Sequence, residues 1–340
     1  MPNSPVLRAV DAALVRAPEG ATLLVAVSGG IDSVVLAHAL AARAPRGGRA
    51  VALGHVDHGL RGEASAADAA FVARLAGKLG VPGAGRRVDP ATLREGGSSR
   101  DRPTLQEAAR ALRYEALDEM ARELGASAIA TAHNADDQAE TLLLRLLRGT
   151  GPDGLGGIPE ASPDGRILRP LLGVSRAEIE AFARAHAIAW REDASNQADG
   201  YTRNRLRHHW LPGLAGEFNP RLLRSLGELA EALRRDAEWI EGEVAREAAR
   251  RFHTEDGWLW IEAKDWDSLP EALGRRLARL ALRQAGRPRD VSRAHLRRML
   301  AFLAEGRVGT AIELPGGLEL ARQREGFRLG PKGVIPRGGC

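Results

Sequence analysis

A short turn between a strand pattern and a helix pattern constrains the fold of this chain more than any other stretch. Residues 23–27 (LLVAV) are typical of a buried strand, and residues 34–40 have the apolar spacing of a helix. The turn between them, residues 28–33 (SGGIDS), contains two adjacent glycines, which let a backbone turn tightly and approach a ligand closely. The sequence therefore predicts a strand–turn–helix unit whose N–H groups at the helix start bind an anion.

The residue types of this turn predict a phosphate site that includes a divalent cation. Asp32 would repel phosphate unless Mg²⁺ carried by a nucleotide lies between the two negative groups. The alternative is a Gly-Gly turn in which Asp32 and Ser33 only cap the helix. A Walker A loop is excluded, because the sequence contains no Gly-x-x-x-x-Gly-Lys-Ser/Thr. The predicted nucleotide-binding residues of the turn are Ser28, Gly29, Gly30, Ile31, Asp32 and Ser33.

Strand and helix patterns alternate through the first half of the chain. After an opening helix and the strand at 23–27, further strands are predicted near 50–56, 86–88 and 128–132. The helices between and after them are predicted near 66–79, 104–124 and 136–147. Such alternation predicts an α/β domain with a parallel sheet covered by helices, in which ligands bind at the carboxyl ends of the strands.

Two further motifs contain candidate site residues. Residues 55–61 (HVDHGLR) begin with His55, which we interpret as part of a nucleotide pocket wall. A metal site made by both histidines and the aspartate is the alternative, although one short turn rarely supplies three ligands with good geometry. On the long helix, Arg113 shares a face with Glu107 and Arg110, and a solvated salt-bridge stripe is an equal interpretation there.

A pair of carboxylates opens the helix after the strand at 128–132. Asp137 and Glu140 are three residues apart and project from one face of the first helical turn. Asp136 is explained as a partner of the helix dipole. Because the pair lies at the mouth of a predicted nucleotide site, its spacing predicts that Asp137 and Glu140 bind an ammonium group.

Two other polar segments adjoin the predicted site. Residues 95–102 (EGGSSRDR) are interpreted as a mobile basic loop beside it. Arg203, Arg205 and Arg207 alternate and cannot all share one helix face, so we expect at least one to pair with Asp193 while others meet phosphate.

The pattern changes after about residue 217. Leucines at helical spacing recur from residue 222 to 303, and residues 311–320 alternate on both sides of a Gly-Gly turn, which predicts a hairpin. We therefore predict a catalytic domain at 1–217 and a smaller, mainly helical domain at 218–340. Arg275, Arg279 and Arg283 form an i, i+4, i+8 stripe among many other arginines, which favours contact with nucleic acid.

Composition supports these expectations. The chain has 340 residues, 44% hydrophobic content, a net charge of +5 and a pI near 10.0, which favours a polyanionic partner. Its single cysteine, Cys340, excludes an intramolecular disulfide and Cys-rich zinc or iron–sulfur sites. No apolar run approaches a membrane span and the N-terminus has no signal-peptide pattern, so a cytoplasmic protein without membrane contact is expected. Oligomeric state is left open.

The motifs together resemble one family. SGGIDS, HVDHGLR, QEAARALRY, AHNADDQAETLLLRLLRGTGPDGL, RPLL, EDASN and RNRLR follow one another between residues 28 and 207. In this order they resemble the tRNA(Ile)-lysidine synthases, which are N-type ATP pyrophosphatases of the PP-loop superfamily. Some members of that family have a further C-terminal domain, and we expect this chain to end before it.

The resemblance implies a reaction and roles for residues. ATP would be split between its α- and β-phosphates to adenylate the C2 oxygen of the wobble cytidine in the CAU anticodon of an isoleucine tRNA. L-lysine would then displace AMP and give lysidine. Asp137 and Glu140 would bind the lysine, Asp32 would position Mg²⁺, and Arg113 would lie near the reacting groups. Two other hypotheses remain, an adenylating enzyme acting on a small carboxylate or amide and a catalytically silent RNA-binding protein.

Overall fold

The chain divides into two compact units, Met1–Arg234 (unit 1) and Arg235–Cys340 (unit 2). The computed structural model describes residues 4–59, 63–94, 103–191, 202–255, 257–286, 288 and 291–333. The segments 95–102 and 192–196, like Cys340, lie outside the described residues. The division falls later than the boundary predicted after residue 217, because Leu222 and Leu226 line an apolar groove together with Leu142 and Leu146.

Unit 1 is built from alternating helices and strands. Its helices are α1 (Pro5–Arg16), α2 (Ile31–Arg43), α3 (Glu63–Leu79), α4 (Leu105–Glu123), α5 (Ala135–Leu147), α6 (Pro152–Leu155), α7 (Arg176–Ala185), α8 (Thr202–Arg205), α9 (Leu211–Glu217) and the start of α10 (Leu222–Arg251). Its strands are β1 (Thr22–Ala26), β2 (Ala50–Asp57), β3 (Gly83–Arg87), β4 (Ala126–Ala130) and β5 (Ile167–Leu168). A π-helical turn, Leu206–Trp210, joins α8 to α9.

The five strands form one parallel sheet in the order β3-β2-β1-β4-β5. The first strand lies between β2 and β4, with Leu24 opposite Ala52 on one side and Ile129 on the other. The chain moves outward from β1 in one direction and then returns to its other side, so the connections change direction between β1 and β4. Ligands of open α/β sheets bind at such a point. The predicted parallel sheet covered by helices is confirmed.

Apolar residues cover both faces of this sheet. Leu23 and Val25 of β1 pack into a cluster that includes buried residues of α1, α2 and α7. Leu24 points the other way and packs against Leu117 and Met120 of α4. Because successive strand residues face opposite sides, the continuous apolar run of β1 is what a strand buried on both faces requires.

Unit 2 combines helices with an antiparallel sheet. The rest of α10 leads into β6 (Phe252–Glu255), β7 (Trp258–Glu262), α11 (Glu271–Ala285), α12 (Arg293–Glu305), β8 (Ala311–Leu314), β9 (Leu318–Arg322) and β10 (Gly326–Pro331). The strand order is β6-β7-β10-β9-β8. The predicted helices and the β8–β9 hairpin are present, and the hairpin belongs to a five-stranded sheet that the sequence patterns did not predict. No helix among the described residues is long and apolar enough to cross a membrane.

Candidate active site

A cavity of about 580 Å³ opens at the carboxyl ends of β1 and β4 in unit 1. The SGGIDS turn forms one wall, and His133 and Asp137, which follow β4, form another. Six arginines also line it: Arg110, Arg113, Arg176, Arg191, Arg203 and Arg207. The combination of a helix start with many guanidinium groups makes this cavity suitable for a strongly anionic ligand.

The SGGIDS turn is held by its own hydroxyl groups. Ser33 Oγ donates to Gly30 O at 2.9 Å and accepts from the Ser28 N–H at 3.1 Å. Gly29 has φ of +95°, a conformation that other residues rarely adopt, and Arg191 N–H donates to its carbonyl at 3.0 Å. Since no side chain of the described residues caps α2 at Gly30, the N–H groups of its first turn can serve a ligand in the cavity.

Asp32 is tied to a distant part of the chain. Arg176 Nη1 donates to Asp32 Oδ2 at 2.7 Å, and the Arg176 N–H donates to Asp136 Oδ2 at 2.9 Å. Burial raises the pKa of Asp32 above its ordinary value, and the positive charge of Arg176 only partly opposes this. Asp32 Oδ1 is buried without a hydrogen-bond partner among the described residues.

A buried carboxylate oxygen without a donor fits a ligand of a hard cation such as Mg²⁺. The described residues contain no group of three or more His, Cys, Asp or Glu that could hold a metal ion. A Mg²⁺ at Asp32 would therefore take most of its ligands from the phosphates of a nucleotide and from water.

The predicted carboxylate pair lies together and is bound by two arginines. Arg203 Nε donates to Glu140 at 2.6 Å and Arg207 Nε donates to it at 2.5 Å. Their Nη2 groups share Asp137 Oδ1, at 2.9 Å and 3.1 Å. The other oxygen, Asp137 Oδ2, accepts from the N–H of Asn134 and completes the N-cap of α5. Cap and ion pairs together fix both carboxylates in position.

The ion pairs of the alternating arginines differ from those that the sequence predicts. Arg203 and Arg207 are four residues apart, share one face of the segment that runs into the π-helical turn, and meet Asp137 and Glu140. Asp193, the partner we expected for one of them, lies outside the described residues. In Arg207, burial acts to lower the pKa, but the hydrogen bond and charge of Glu140 outweigh it and raise the pKa above its usual value.

His133 and Arg113 line the cavity near this pair. His133 Nδ1 lies 3.0 Å from Thr131 Oγ1. Burial is the main cause that lowers the pKa of His133 to about 4; Asp137 opposes the shift, and neighbouring arginines reinforce it. Burial also lowers the pKa of Arg113 from its usual value. His133 is therefore neutral at pH 7, in a wall that otherwise carries several positive charges.

His55 is placed differently from the other predicted site residues. Its side chain is 6% exposed, and Nδ1 forms a hydrogen bond of 2.8 Å with Val27 O. His55 is not among the described residues that line the cavity. Asp57 of the same motif accepts a hydrogen bond from the Gly59 N–H, so it stabilises the turn after β2. A role for His55 in nucleotide binding stays a prediction.

Sequence reasoning missed Arg176, Asp68 and Arg191 as parts of this site. Arg191 Nε donates to Asp68 Oδ1 at 2.5 Å, and both residues line the cavity beside the SGGIDS turn. For Arg176 a local signal exists, because Ser175 and Glu178 form a capping box that marks the start of α7. Asp68 and Arg191 have no local signal, since they are 123 residues apart.

In unit 2, α11 carries the predicted arginine stripe. The side chains of Arg275, Arg279 and Arg283, which we call the α11 arginine stripe, are exposed. Arg275 makes a loose ion pair of 3.6 Å with Glu271. The stripe therefore presents positive charge to solvent, as a surface that contacts phosphate requires.

The fold and the cavity define the class of protein. The sequence matches the PP-loop domain family over residues 3–214 and the TilS substrate binding domain family over residues 262–326. A solved structure, the U34-tRNA thiolase NcsA from Methanococcus maripaludis with its [4Fe-4S] cluster, has a TM-score of 0.55. It is 15% identical, covers 68% of this chain and 78% of that chain, and supports the fold alone. Unit 1 is thus a PP-loop domain, a type that uses ATP.

Curated relatives narrow the class to one family. A tRNA(Ile)-lysidine synthase of Solibacter usitatus is 40% identical over 92% of this chain and 68% of its own length. Another, from Salinispora arenicola, is 39% identical over 95% of this chain and 94% of its own length. The chain belongs to the tRNA(Ile)-lysidine synthase family. The chain spans a smaller share of some longer relatives, 64% and 65% of their own length in two cases.

Proposed function

We propose that this protein uses ATP to join L-lysine to C2 of the wobble cytidine in the CAU anticodon of an isoleucine tRNA. The products are lysidine, AMP and pyrophosphate. One observation carries the proposal: the SGGIDS turn and Asp137 line one cavity, and Glu140 meets the same two arginines as Asp137. The proposed phosphate site and the proposed ammonium site are therefore neighbours. We infer a cytoplasmic location from the proposed tRNA substrate.

The first chemical step is activation of the cytidine. Its C2 oxygen attacks the α-phosphorus of ATP, and pyrophosphate leaves with the electron pair of the broken P–O bond. The SGGIDS amide groups and the cavity arginines would hold the phosphates and the departing pyrophosphate. Asp32 would hold Mg²⁺, which supplies neutralisation of phosphate charge when bound.

The second step joins lysine to the ring. The side-chain amine attacks C2, the bond from C2 to the adenylated oxygen breaks, and AMP leaves. Asp137 and Glu140 would bind and orient the ammonium group of lysine before the attack. With a pKa of about 10.4 that ammonium must lose a proton to react, so a carboxylate or a phosphate oxygen has to accept it. Arg113 in the same wall would lie near the reacting groups.

The direct test is mass spectrometry of nucleosides after incubation with ATP, L-lysine and an isoleucine tRNA transcript that has a CAU anticodon. We expect one cytidine to gain the mass of lysine less water, with AMP release that needs both lysine and tRNA. A methionine tRNA with the same anticodon and the Asp32→Ala variant are the controls. AMP release without tRNA would contradict the proposal and indicate a small-molecule adenylating enzyme. Absence of any AMP release would indicate a silent RNA-binding protein.

A further inference from the structure

The proposed ammonium site already holds two cations of this chain. The four hydrogen bonds from Arg203 and Arg207 take up both oxygens of Glu140 and Oδ1 of Asp137, while Asp137 Oδ2 accepts from Asn134. The Glu140 side chain has no exposed surface, so a lysine ammonium cannot approach it around the arginines. Lysine can reach the pair only if at least one guanidinium leaves.

The charge of the cavity opposes lysine and favours phosphate. Four carboxylates at the site, Asp32, Asp68, Asp137 and Glu140, each accept a hydrogen bond from an arginine. Six arginines line the cavity, and His133 is neutral at pH 7, so positive charge is in excess among the described residues. A cationic substrate entering alone meets like charge, whereas a magnesium-bound triphosphate is anionic and attracts the guanidinium groups.

We propose that Arg203 is an exchangeable ligand, which occupies the lysine site on Asp137 and Glu140 and moves to the phosphates of ATP when the nucleotide binds. The inference rests on the proposed function and adds an order to it: ATP binds first and creates the site for lysine. Arg203 thereby becomes a phosphate ligand and a determinant of lysine affinity. Arg207 stays on the carboxylates.

The two arginines differ in how firmly they are held. Arg203 belongs to the four-residue helix α8, which has no buried residue, and its side chain is 43% exposed. Arg207 follows Leu206, which is 4% exposed and anchors the π-helical turn, and the Arg207 side chain is 36% exposed. Moving Arg203 therefore displaces no buried residue of α8, while moving Arg207 would pull on the buried Leu206 next to it.

When the ammonium group of the L-lysine substrate takes the place of the Arg203 guanidinium, the charge at the carboxylate pair stays the same. One guanidinium leaves and one ammonium arrives, so Asp137 and Glu140 keep two positive partners throughout. The free energy of lysine binding then depends on where Arg203 goes, and by linkage each ligand raises the affinity of the other equally. We expect a coupling of about 10-fold or more, within the common range for linked sites.

The test is isothermal titration of L-lysine into the full chain, with Mg²⁺ and with or without α,β-methylene-ATP, which cannot be split between its α- and β-phosphates. In the wild type the analogue should lower the Kd for lysine about 10-fold or more. In Arg203→Gln lysine should bind without nucleotide about as tightly as it binds wild type with it, and the analogue itself should bind more weakly. Arg203→Lys keeps the charge and should keep the coupling. Arg224→Gln, which removes an exposed ion pair with Glu228, is the matched control and should behave as wild type.

Several outcomes would overturn the inference. If Arg203→Gln, shown to be folded by its melting curve, keeps the wild-type lysine Kd and nucleotide dependence, Arg203 does not occupy the site. If Arg203→Gln does not fold, the wild type decides, because an equal lysine Kd with and without the analogue means that no exchange accompanies nucleotide binding. If tRNA alone, rather than the nucleotide, raises lysine affinity, then nucleotide binding is not what moves Arg203. Lysidine formation by wild type in these cases leaves the proposed function standing, whereas a wild type that neither binds lysine nor forms lysidine overturns both.

Discussion

Replacing Glu140 with Gln tests whether the carboxylate pair holds the segment 202–210 against α5. Glu140 is fully buried and accepts from Arg203 at 2.6 Å and from Arg207 at 2.5 Å. A glutamine of the same shape keeps one acceptor oxygen, but its NH₂ group would face a second donor. One charge-assisted hydrogen bond is therefore lost and the other is weakened.

The size of the effect follows from burial. Hydrogen bonds to charged groups contribute about 1.5–3 kcal/mol each, and exposed ion pairs contribute at most about 1 kcal/mol. The carboxylate is buried, but the guanidinium groups of Arg203 and Arg207 are 43% and 36% exposed and can regain water. We therefore expect the opening free energy of the segment to fall by about 2 kcal/mol, which is about a 30-fold faster amide exchange.

Hydrogen exchange measured by mass spectrometry localises this effect. Peptides covering 202–210 should exchange faster in Glu140→Gln, while peptides from β1 should exchange as in the wild type. Glu228→Gln is the control, because its ion pair with Arg224 is exposed and its loss should leave exchange nearly unchanged. Equal exchange of 202–210 in Glu140→Gln and wild type would refute the reasoning, since the ion pairs would then not restrain the segment.

Three further predictions address pH, packing and RNA contact. In the folded protein His133 takes up a proton only near pH 4, whereas its ordinary pKa is 6.5, so stability should fall as pH drops through this window. His133→Gln should remove about 3 kcal/mol of that loss, measured as the difference in urea unfolding between about pH 7 and pH 4. Gly157→Ala should destabilise by about 2–4 kcal/mol in thermal unfolding, through left-handed strain and disruption of buried hydrogen bonds. Its φ is +64° and a Cβ would lie 2.4 Å from Gln138 Oε1, whereas Gly165→Ala, with φ of +71° and open space, should show the strain alone. Changing the α11 arginine stripe to glutamine should flatten the dependence of log K for tRNA on log salt by about 0.7–0.9 per lost phosphate contact, and an unchanged slope would contradict that contact.

Local signals in the sequence explain what could be predicted. The apolar run of β1, the SGGIDS turn and the leucine spacing of α10, α11 and α12 are each contained within a few turns or one strand. The spacing of Asp137 and Glu140 likewise predicted that both side chains meet on one face, and they meet the same two arginines. Residues close in sequence have few alternative arrangements, so residue type and spacing suffice there.

Partners that are distant in sequence could not be predicted in the same way. Arg176 reaches Asp32 across 144 residues, and Arg203 reaches Glu140 across 63. Many arginines could have filled either place by residue type alone. The sheet of unit 2 was missed for a related reason. Strand β6, which pairs with β7, has four residues, and because three of them are exposed, buried and exposed residues do not alternate along it.

Strand order decides which of the predicted motifs share the cavity. The SGGIDS, HVDHGLR and AHNADDQAET motifs each lie at the end of a strand, so the sequence predicts all three at the carboxyl edge of the sheet, but it does not say which strands are neighbours. In the order β3-β2-β1-β4-β5, β4 adjoins β1, and the residues after β4 therefore face the SGGIDS turn across the point where the connections change direction. His55 lies on β2, on the other side of β1, and its ring forms a hydrogen bond to the Val27 carbonyl instead of lining the cavity. Had β4 paired with β3 instead, Asp137 would lie two strands farther from Asp32, and a triphosphate and an amine could not meet in one cavity.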